Sequence, residues 1–205
     1  EESWKLFLRS LVERGLKGVK LVISDKNLGI KAAVSKVFNA GTQWQRCKVH
    51  TMRNILCQVG QKSKKEVANA LKVIFAQPSK AKAKEEAQRV IKEYEKRFPE
   101  AMKTLENALD EVLTFYSFPP EHWKKISSTN PLERLNREIR RRTRVVGVFP
   151  SKNSCRRLMG MVLVEQHEDW ITQIYMDPEK LKGLYAEENK IQLMPPQETE
   201  RSTVG

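Results

Sequence analysis

The chain contains a short β-branched run, Val19-Lys20-Leu21-Val22-Ile23-Ser24, that is typical of a buried strand and is followed by Asp25. A helical face comes next, with apolar residues at three- and four-residue spacing: Ile30, Ala33, Val34, Val37 and Phe38. Gly41 breaks this helix, and the run from Trp44 to Val49 predicts a second strand that ends near His50. Strand–helix–strand order predicts a parallel pair, and hence an α/β unit.

Helices are predicted on both sides of this unit. A helix precedes it and ends at Gly15, and only helical patterns occur from about Asn54 to Tyr116. We expect four regions: residues 1–53 with helix, strand, helix and strand; 54–120, all helical; 121–176, further helices; and 177–205, a polar and disordered tail.

The composition favours a polyanionic partner. Among 205 residues, 38 lysines and arginines outnumber 25 acids, giving a formal net charge of +13. Nucleic acid is the commonest polyanion, and a merely soluble basic surface is the alternative. No apolar run approaches the roughly 20 residues that span a bilayer, so we expect no membrane partner. A charged start without a signal peptide and an odd number of cysteines predict a reducing cytoplasm.

Residues 128–143 predict a basic helix with Asn130 as its N-cap and Pro131 at its first position. One face carries polar residues at three- and four-residue spacing: Glu133, Asn136, Arg137 and Arg140. A carboxylate among arginines suits a metal-bound acid beside a phosphate backbone. Because Glu133 stands three residues after Asn130, it also fits a capping box, and both roles remain open.

Arginines are unusually dense along this helix: Arg134, Arg137, Arg140, Arg141, Arg142 and Arg144. One guanidinium group can donate two hydrogen bonds to a phosphate group, so we expect sequence-independent contact with a DNA backbone. Trp123 stands beside two lysines just before the helix, where it could stack on an unpaired base. Burial in the core is the alternative for this tryptophan.

Two roles are possible for Asp25. An acid at the carboxyl end of a parallel strand faces the crevice where such sheets bind ligands, whereas an aspartate before a helix that begins around Asn27 can be its N-cap. Cys47 and His50 form a Cys-x-x-His, but a structural zinc site needs four ligands and no second pair stands at zinc spacing. We expect these two residues to pack or to orient a neighbouring group. Asp25 and Glu133 together would suit Mg²⁺ in phosphoryl transfer, although no third acid follows a convincing strand.

Five segments, in this order, resemble the Mutator-type family of bacterial insertion-sequence transposases: residues 15–25, 44–54, 118–123, 128–143 and 146–150. The resemblance implies a partial ribonuclease H-like core of the retroviral-integrase type over 1–53 and 121–176, a large all-helical insertion over 54–120, and a mostly helical α/β chain. Asp25 matches the second catalytic acid and Glu133 the third, while Cys47 and His50 match a family signature. The implied metal is Mg²⁺ or Mn²⁺, held by Asp25 and Glu133.

The resemblance also implies partners: the terminal repeats of an insertion sequence, its target DNA, and further copies of the enzyme in a homo-oligomer. Cys47, His50, Asn130 and Asn136 would surround the two acids, and the arginines and Trp123 would contact DNA. The family's first acid lies upstream of the opening helix, and Lys26-Asn27 stand where relatives often have a small residue and a histidine. We therefore expect the C-terminal part of a bacterial transposase that cuts and joins DNA. The alternatives are a relic that binds DNA or interferes with a full-length relative, and a chain that cannot fold alone.

Overall fold

Two parallel strands, β1 (Leu21–Ser24) and β2 (Gln43–Arg46), pair in register from Leu21 opposite Gln43 to Ser24 opposite Arg46 in the computed structural model. The structure describes residues 1–38 and 40–192, with side chains to residue 185. Helix α2 (Leu28–Val37) connects the strands and packs against α1 (Glu2–Glu13). Gly15, with φ at 100°, follows the end of α1. The predicted parallel pair is confirmed.

The second strand is shorter than predicted because the chain turns out of the sheet at Cys47. The Cys47 N–H donates to Ser24 O at 2.7 Å and so extends the ladder by one bond. The next amide, that of Lys48, instead donates to Ser127 O at 2.9 Å. Helix α3 (Lys48–Leu56) begins there. His50 therefore lies in the first turn of a helix, not at the end of a strand.

Three helices follow, α4 (Lys64–Phe75), α5 (Lys80–Tyr94) and α6 (Pro99–Val112), and they surround the main hydrophobic core. Gln45 of β2 ties the sheet to this block. Its buried amide donates to Arg46 O at 2.6 Å and Val112 O at 2.9 Å, and its Oε1 accepts from the Phe115 N–H at 2.8 Å. The all-helical character predicted for this block is confirmed.

Four helices complete the described chain: α7 (Trp123–Ile126), α8 (Asn130–Val146), α9 (Lys152–Thr172) and α10 (Pro178–Gln192). Helix α8 packs against α9, and α8 itself has no buried residue. It is capped by Thr129, not by Asn130 as predicted, and no side chain closes the cap. The backbone N–H of Asn130 instead donates to Ser128 Oγ at 3.4 Å.

Residues 178–192 of the tail predicted to be disordered form α10, and Leu184 on this helix packs against the main core. Residues 193–205 lie outside the described residues. Within the described ranges, no helix is both long and apolar enough to cross a membrane. The chain as described is mostly helical, with one small parallel sheet.

Candidate active site

Cys47 joins two distant segments. Its side chain is fully buried. Its N–H holds the last carbonyl of β1, and its Sγ accepts from the Thr129 N–H at 3.3 Å and lies 3.4 Å from the Thr129 hydroxyl oxygen. The end of the strand that precedes Asp25 and the start of the helix that carries Glu133 are thus held together through one residue.

Glu133 is oriented by two neighbours. The Thr129 hydroxyl donates to Glu133 Oε1 at 3.4 Å, and His50 Nε2 lies 3.3 Å from the same oxygen. The Nδ1 atom of His50 is buried and has no hydrogen-bond partner among the described residues. Since Asn130 does not cap α8, the capping-box alternative for Glu133 is wrong. The Glu133 side chain keeps 39% of its surface exposed, which leaves its carboxylate accessible.

Asp25 follows β1 directly and is exposed. The N-cap of α2 is Asn27, whose Oδ1 accepts from the Ile30 N–H at 3.0 Å. The capping alternative for Asp25 is therefore wrong. Its carboxylate has no hydrogen bond or ion pair with any other described residue. An exposed carboxylate without a protein partner is chemically suited to bind a cation.

The described part of the chain brings together no group of three or more His, Cys, Asp or Glu side chains that could hold a metal ion. Asp25 and Glu133 offer carboxylate oxygens, the donors that Mg²⁺ and Mn²⁺ prefer. The donor chemistry of these two residues therefore fits such an ion, and the set is smaller than the three acids usual for a two-metal site. Cys47 and His50 contact Thr129 and Glu133, so in this arrangement they support the acid.

A cleft of about 300 Å³ opens beside Glu133, lined by Asn130, Glu133, Arg134 and Arg137. Asn136 is exposed and is not among the lining residues. The structure thus brings one carboxylate and two guanidinium groups to one opening. Of the predicted face, Glu133 and Arg137 line this cleft, Asn136 and Arg140 do not, and Arg134 joins them. A phosphate group would find both its cationic partners and the acid there.

The six arginines of α8 divide into two groups. Glu138 accepts from Arg141 Nε at 2.8 Å and from Arg142 Nε at 2.8 Å, and these hydrogen bonds, that of Arg141 first, lower the pKa of Glu138 to about 2. Arg142 also donates to Glu165 of α9 at 3.0 Å. The other four arginines of α8 form no ion pair within residues 1–38 and 40–185: Arg134, Arg137, Arg140 and Arg144.

Trp123 lies against the main core. Its ring meets those of Phe115 and Tyr116 edge to face, with centroids 5.9 Å and 4.5 Å away. Its Nε1–H donates to Phe118 O at 2.6 Å. Stacking of Trp123 on a base stays a prediction, and these contacts favour the packing alternative.

Sequence reasoning did not single out Thr129. Its contact with Cys47 joins residues 82 positions apart, and no local pattern announces such a pairing. The one available signal was the four-residue spacing from Thr129 to Glu133, which places the two side chains on one side of a helical turn.

Known proteins resemble this chain over most of its length. The family model for the transposases of the Mutator family matches residues 1–173. The chain is 42% identical over 169 residues to the transposase for insertion sequence element IS1081 of Mycobacterium tuberculosis, covering 82% of this chain and 40% of that protein. It is 38% identical over 179 residues to the IS406 transposase of Burkholderia multivorans, covering 86% of this chain and 46% of that protein.

A third relative is the transposase for IS256 in transposon Tn4001 of Staphylococcus aureus, 37% identical over 173 residues, with 83% of this chain and 44% of that protein covered. The chain thus spans less than half the length of these curated relatives. The matched residues include both β-strands, the helical block, and helices α8 and α9. The resemblance expected from the sequence is confirmed: the chain belongs to the Mutator family of transposases.

Proposed function

We propose that this chain supplies two metal-binding carboxylates, Asp25 and Glu133, to a transposase that cuts DNA strands and joins the freed ends to a target. The proposal includes a ribonuclease H-like core, of which β1, β2 and the helices packed on them are a part. One observation carries it: Cys47 holds the end of β1 and the start of α8 together, so the two acids stand beside one buried junction.

Each protein group has a role in the proposal. When bound, Mg²⁺ or Mn²⁺ would stabilise both the attacking and the leaving oxygen of a phosphoryl transfer. Asp25 and Glu133 would hold that ion, and the Thr129 hydroxyl and His50 would fix the rotamer of Glu133 through their contacts with Oε1. A third carboxylate, in addition to those of Asp25 and Glu133, would complete the site.

DNA is the proposed substrate because positively charged arginines lie beside Glu133. Arg134 and Arg137 line the cleft that holds Glu133, and neither is neutralised by an acidic side chain among the described residues. Contacts of this kind release counterions and are independent of base sequence. The terminal repeats of an insertion sequence, a target duplex and further copies of the enzyme are the proposed partners of the whole transposase.

Mn²⁺ binding to the full 205-residue chain tests the proposed metal site, with enhancement of water proton relaxation as the readout. We expect binding to wild type, and its loss in Asp25→Asn and in Glu133→Gln. Glu106→Gln makes the same change of charge as Glu133→Gln at an exposed position of α6, so it serves as the matched control and should bind as wild type does. Equal Mn²⁺ binding by all four proteins would contradict the assignment.

The second candidate function is DNA binding without cleavage, including interference with a full-length transposase by joining its assembly. It is favoured by the smallness of the donor set, since no group of three possible ligands assembles in the described ranges. This candidate predicts salt-dependent duplex binding that is unchanged by Mn²⁺ and by Glu133→Gln. Cleavage of DNA by the chain in Mn²⁺, lost in Glu133→Gln, would exclude it.

A further inference from the structure

A second cleft, of about 380 Å³, lies between the basic helix α8 and the C-terminal end of α9. Its lining includes three arginines and two aromatic side chains: Arg134, Arg137, Arg141, Trp170 and Tyr175. Arg134 and Arg137 also line the cleft beside Glu133, so the two openings share a wall.

Trp170 and Tyr175 form a stacked pair in this cleft. Their ring centroids are 5.1 Å apart and their planes differ by 22°. Both side chains are half-buried, so part of the pair remains open to the cleft. A stacked pair of this kind offers a flat apolar surface beside guanidinium groups.

The turn that forms the pair is strained. Ile174, between α9 and Tyr175, has φ at 45° and is the one non-glycine residue with positive φ among the described residues. A β-branched residue is disfavoured in this conformation, and such strain tends to be retained where function requires it. The Tyr175 N–H donates to Trp170 O at 2.9 Å, so the strained turn brings the two rings together.

The pair is also fixed from the opposite side. Lys125 Nζ donates to Tyr175 O and lies 4.9 Å from the centroid of the Tyr175 ring. Met176, the next residue, packs against the main core. The aromatic surface is therefore preorganised by α7 and the core, which lowers the entropy cost of binding a flat ligand.

The charge in the cleft suits a phosphate. Glu138 also lines it, but its carboxylate is held by both Arg141 and Arg142, while Arg134 and Arg137 have no acidic partner in the described chain. Burial raises the pKa of the Tyr175 hydroxyl, and the positive charge of Arg134 opposes this rise.

We propose that this cleft binds one unpaired nucleotide of DNA, with its base stacked on the Trp170–Tyr175 pair and its phosphate on Arg134 and Arg137. A paired duplex needs only cations along its backbone, whereas an aromatic platform beside cations is the arrangement that recognises unpaired bases. Arg134 and Arg137 line both clefts. The unpaired nucleotide would therefore lie next to the DNA phosphate that is bound beside Glu133. The inference rests on the proposed function, since it assumes that DNA lies along α8.

The test compares two short duplexes bound by the full 205-residue chain: one blunt, and one whose end carries an unpaired 2-aminopurine on each strand. Fluorescence anisotropy gives both affinities, and quenching of 2-aminopurine reports stacking. We expect wild type to prefer the frayed duplex by about tenfold, as one base stacked on an aromatic side chain supplies. Trp170→Ala should bind both duplexes equally and lose the quenching.

Two further variants keep the test decisive. Trp170→Phe retains a stacking face and should preserve the preference even if Trp170→Ala is destabilised. Ile171→Ala, at the next and exposed position of α9, should behave as wild type does. Equal affinity of wild type for the two duplexes, or a preference that survives in Trp170→Ala, would overturn this inference alone. Failure of wild type to bind either duplex would overturn the proposed function as well.

Discussion

The helical block (α4, α5 and α6) and the basic arm (α8 and α9) are both helical, yet they are stabilised in opposite ways. Each helix of the block buries three or more side chains in the main core, whereas α8 buries none and α9 buries only Val162. The block is therefore held by apolar burial, and the arm by a few specific polar contacts. A surface that is not committed to a core remains available for a charged ligand.

The polar contacts of the arm have definite positions. At the start of the arm, Thr129 is hydrogen-bonded to Cys47. Within the arm, Arg142 of α8 forms an ion pair with Glu165 of α9, and after it Lys125 donates to Tyr175 O. Since the first of these contacts lies beside both candidate acids, the arm is attached to the rest of the molecule at the proposed site. We expect substitutions in the block to change stability and substitutions in the arm to change binding.

Truncation of one leucine in each region should show the largest contrast. Leu105 of α6 is fully buried, and Leu105→Ala should cost roughly 2–5 kcal/mol because it leaves a cavity. Leu132 of α8 is 55% exposed, and Leu132→Ala should cost less than about 0.5 kcal/mol. Urea unfolding of the three proteins measures the difference. Similar losses at the two sites would mean that α8 is packed more tightly than its exposure indicates.

Gln45→Ala should be next in size. Removing this amide leaves the buried Phe115 N–H and Val112 O without partners, at a cost of roughly 1–3 kcal/mol. Gln58, an exposed glutamine that bonds Asn54 O and Thr104, is the matched control, and Gln58→Ala should be nearly neutral. The same unfolding assay applies. A loss no greater than that of Gln58→Ala would show that β2 is not tied to the block through Gln45.

Removal of two arginines should change binding without changing stability. Arg134→Ala with Arg137→Ala should weaken duplex binding and reduce the slope of log affinity against log salt by about 2, one unit for each phosphate contact. Arg89 of α5 is paired with Glu86 and Glu93, so Arg89→Ala should leave the slope unchanged. Titrations at several salt concentrations measure it. An equal effect of Arg89→Ala would indicate a general charge effect and no defined DNA surface.

The smallest effect should be that of pH on the arm. The folded pKa of Glu138 is lowered from 4.5 to about 2, so its contribution to stability is present above pH 4.5 and is lost as the pH falls toward 2. Wild type should melt slightly above Glu138→Gln at neutral pH, and the gap should close over that acidic range. Thermal melts of the two proteins at several pH values give the result. A gap that is constant with pH would contradict the assignment.

Local sequence patterns predicted most of the elements. The β-branched run at residues 19–24 and the apolar spacing of α2, α4 and α6 need only local information, and the structure confirms them. The end of β2 was misplaced because it depends on a hydrogen bond from Lys48 to Ser127, which is distant in sequence. The N-cap of α8 was misassigned by one residue, because Thr129 takes that position. Thr129 contacts Cys47 and Glu133, and its side chain does not bond the first amides of the helix.

The candidate site was only partly predictable for the same reason. Helical spacing placed Glu133 and Arg137 on one face, and they do line one cleft. Nothing local shows that Cys47 meets Thr129, or that an unfavourable φ at Ile174 folds Tyr175 onto Trp170. Such contacts depend on how distant segments pack, and local residue patterns do not predict that packing.

Iron-directed cleavage of the backbone would test most directly whether Asp25 and Glu133 belong to one metal site. Fe²⁺ replaces Mg²⁺ at such sites, and with ascorbate and peroxide it generates radicals that cut the chain beside the bound ion. We expect cuts near both Asp25 and Glu133 that excess Mg²⁺ suppresses and that are absent in Glu133→Gln. Cuts near only one of the two residues, or a pattern that Glu133→Gln leaves unchanged, would contradict it.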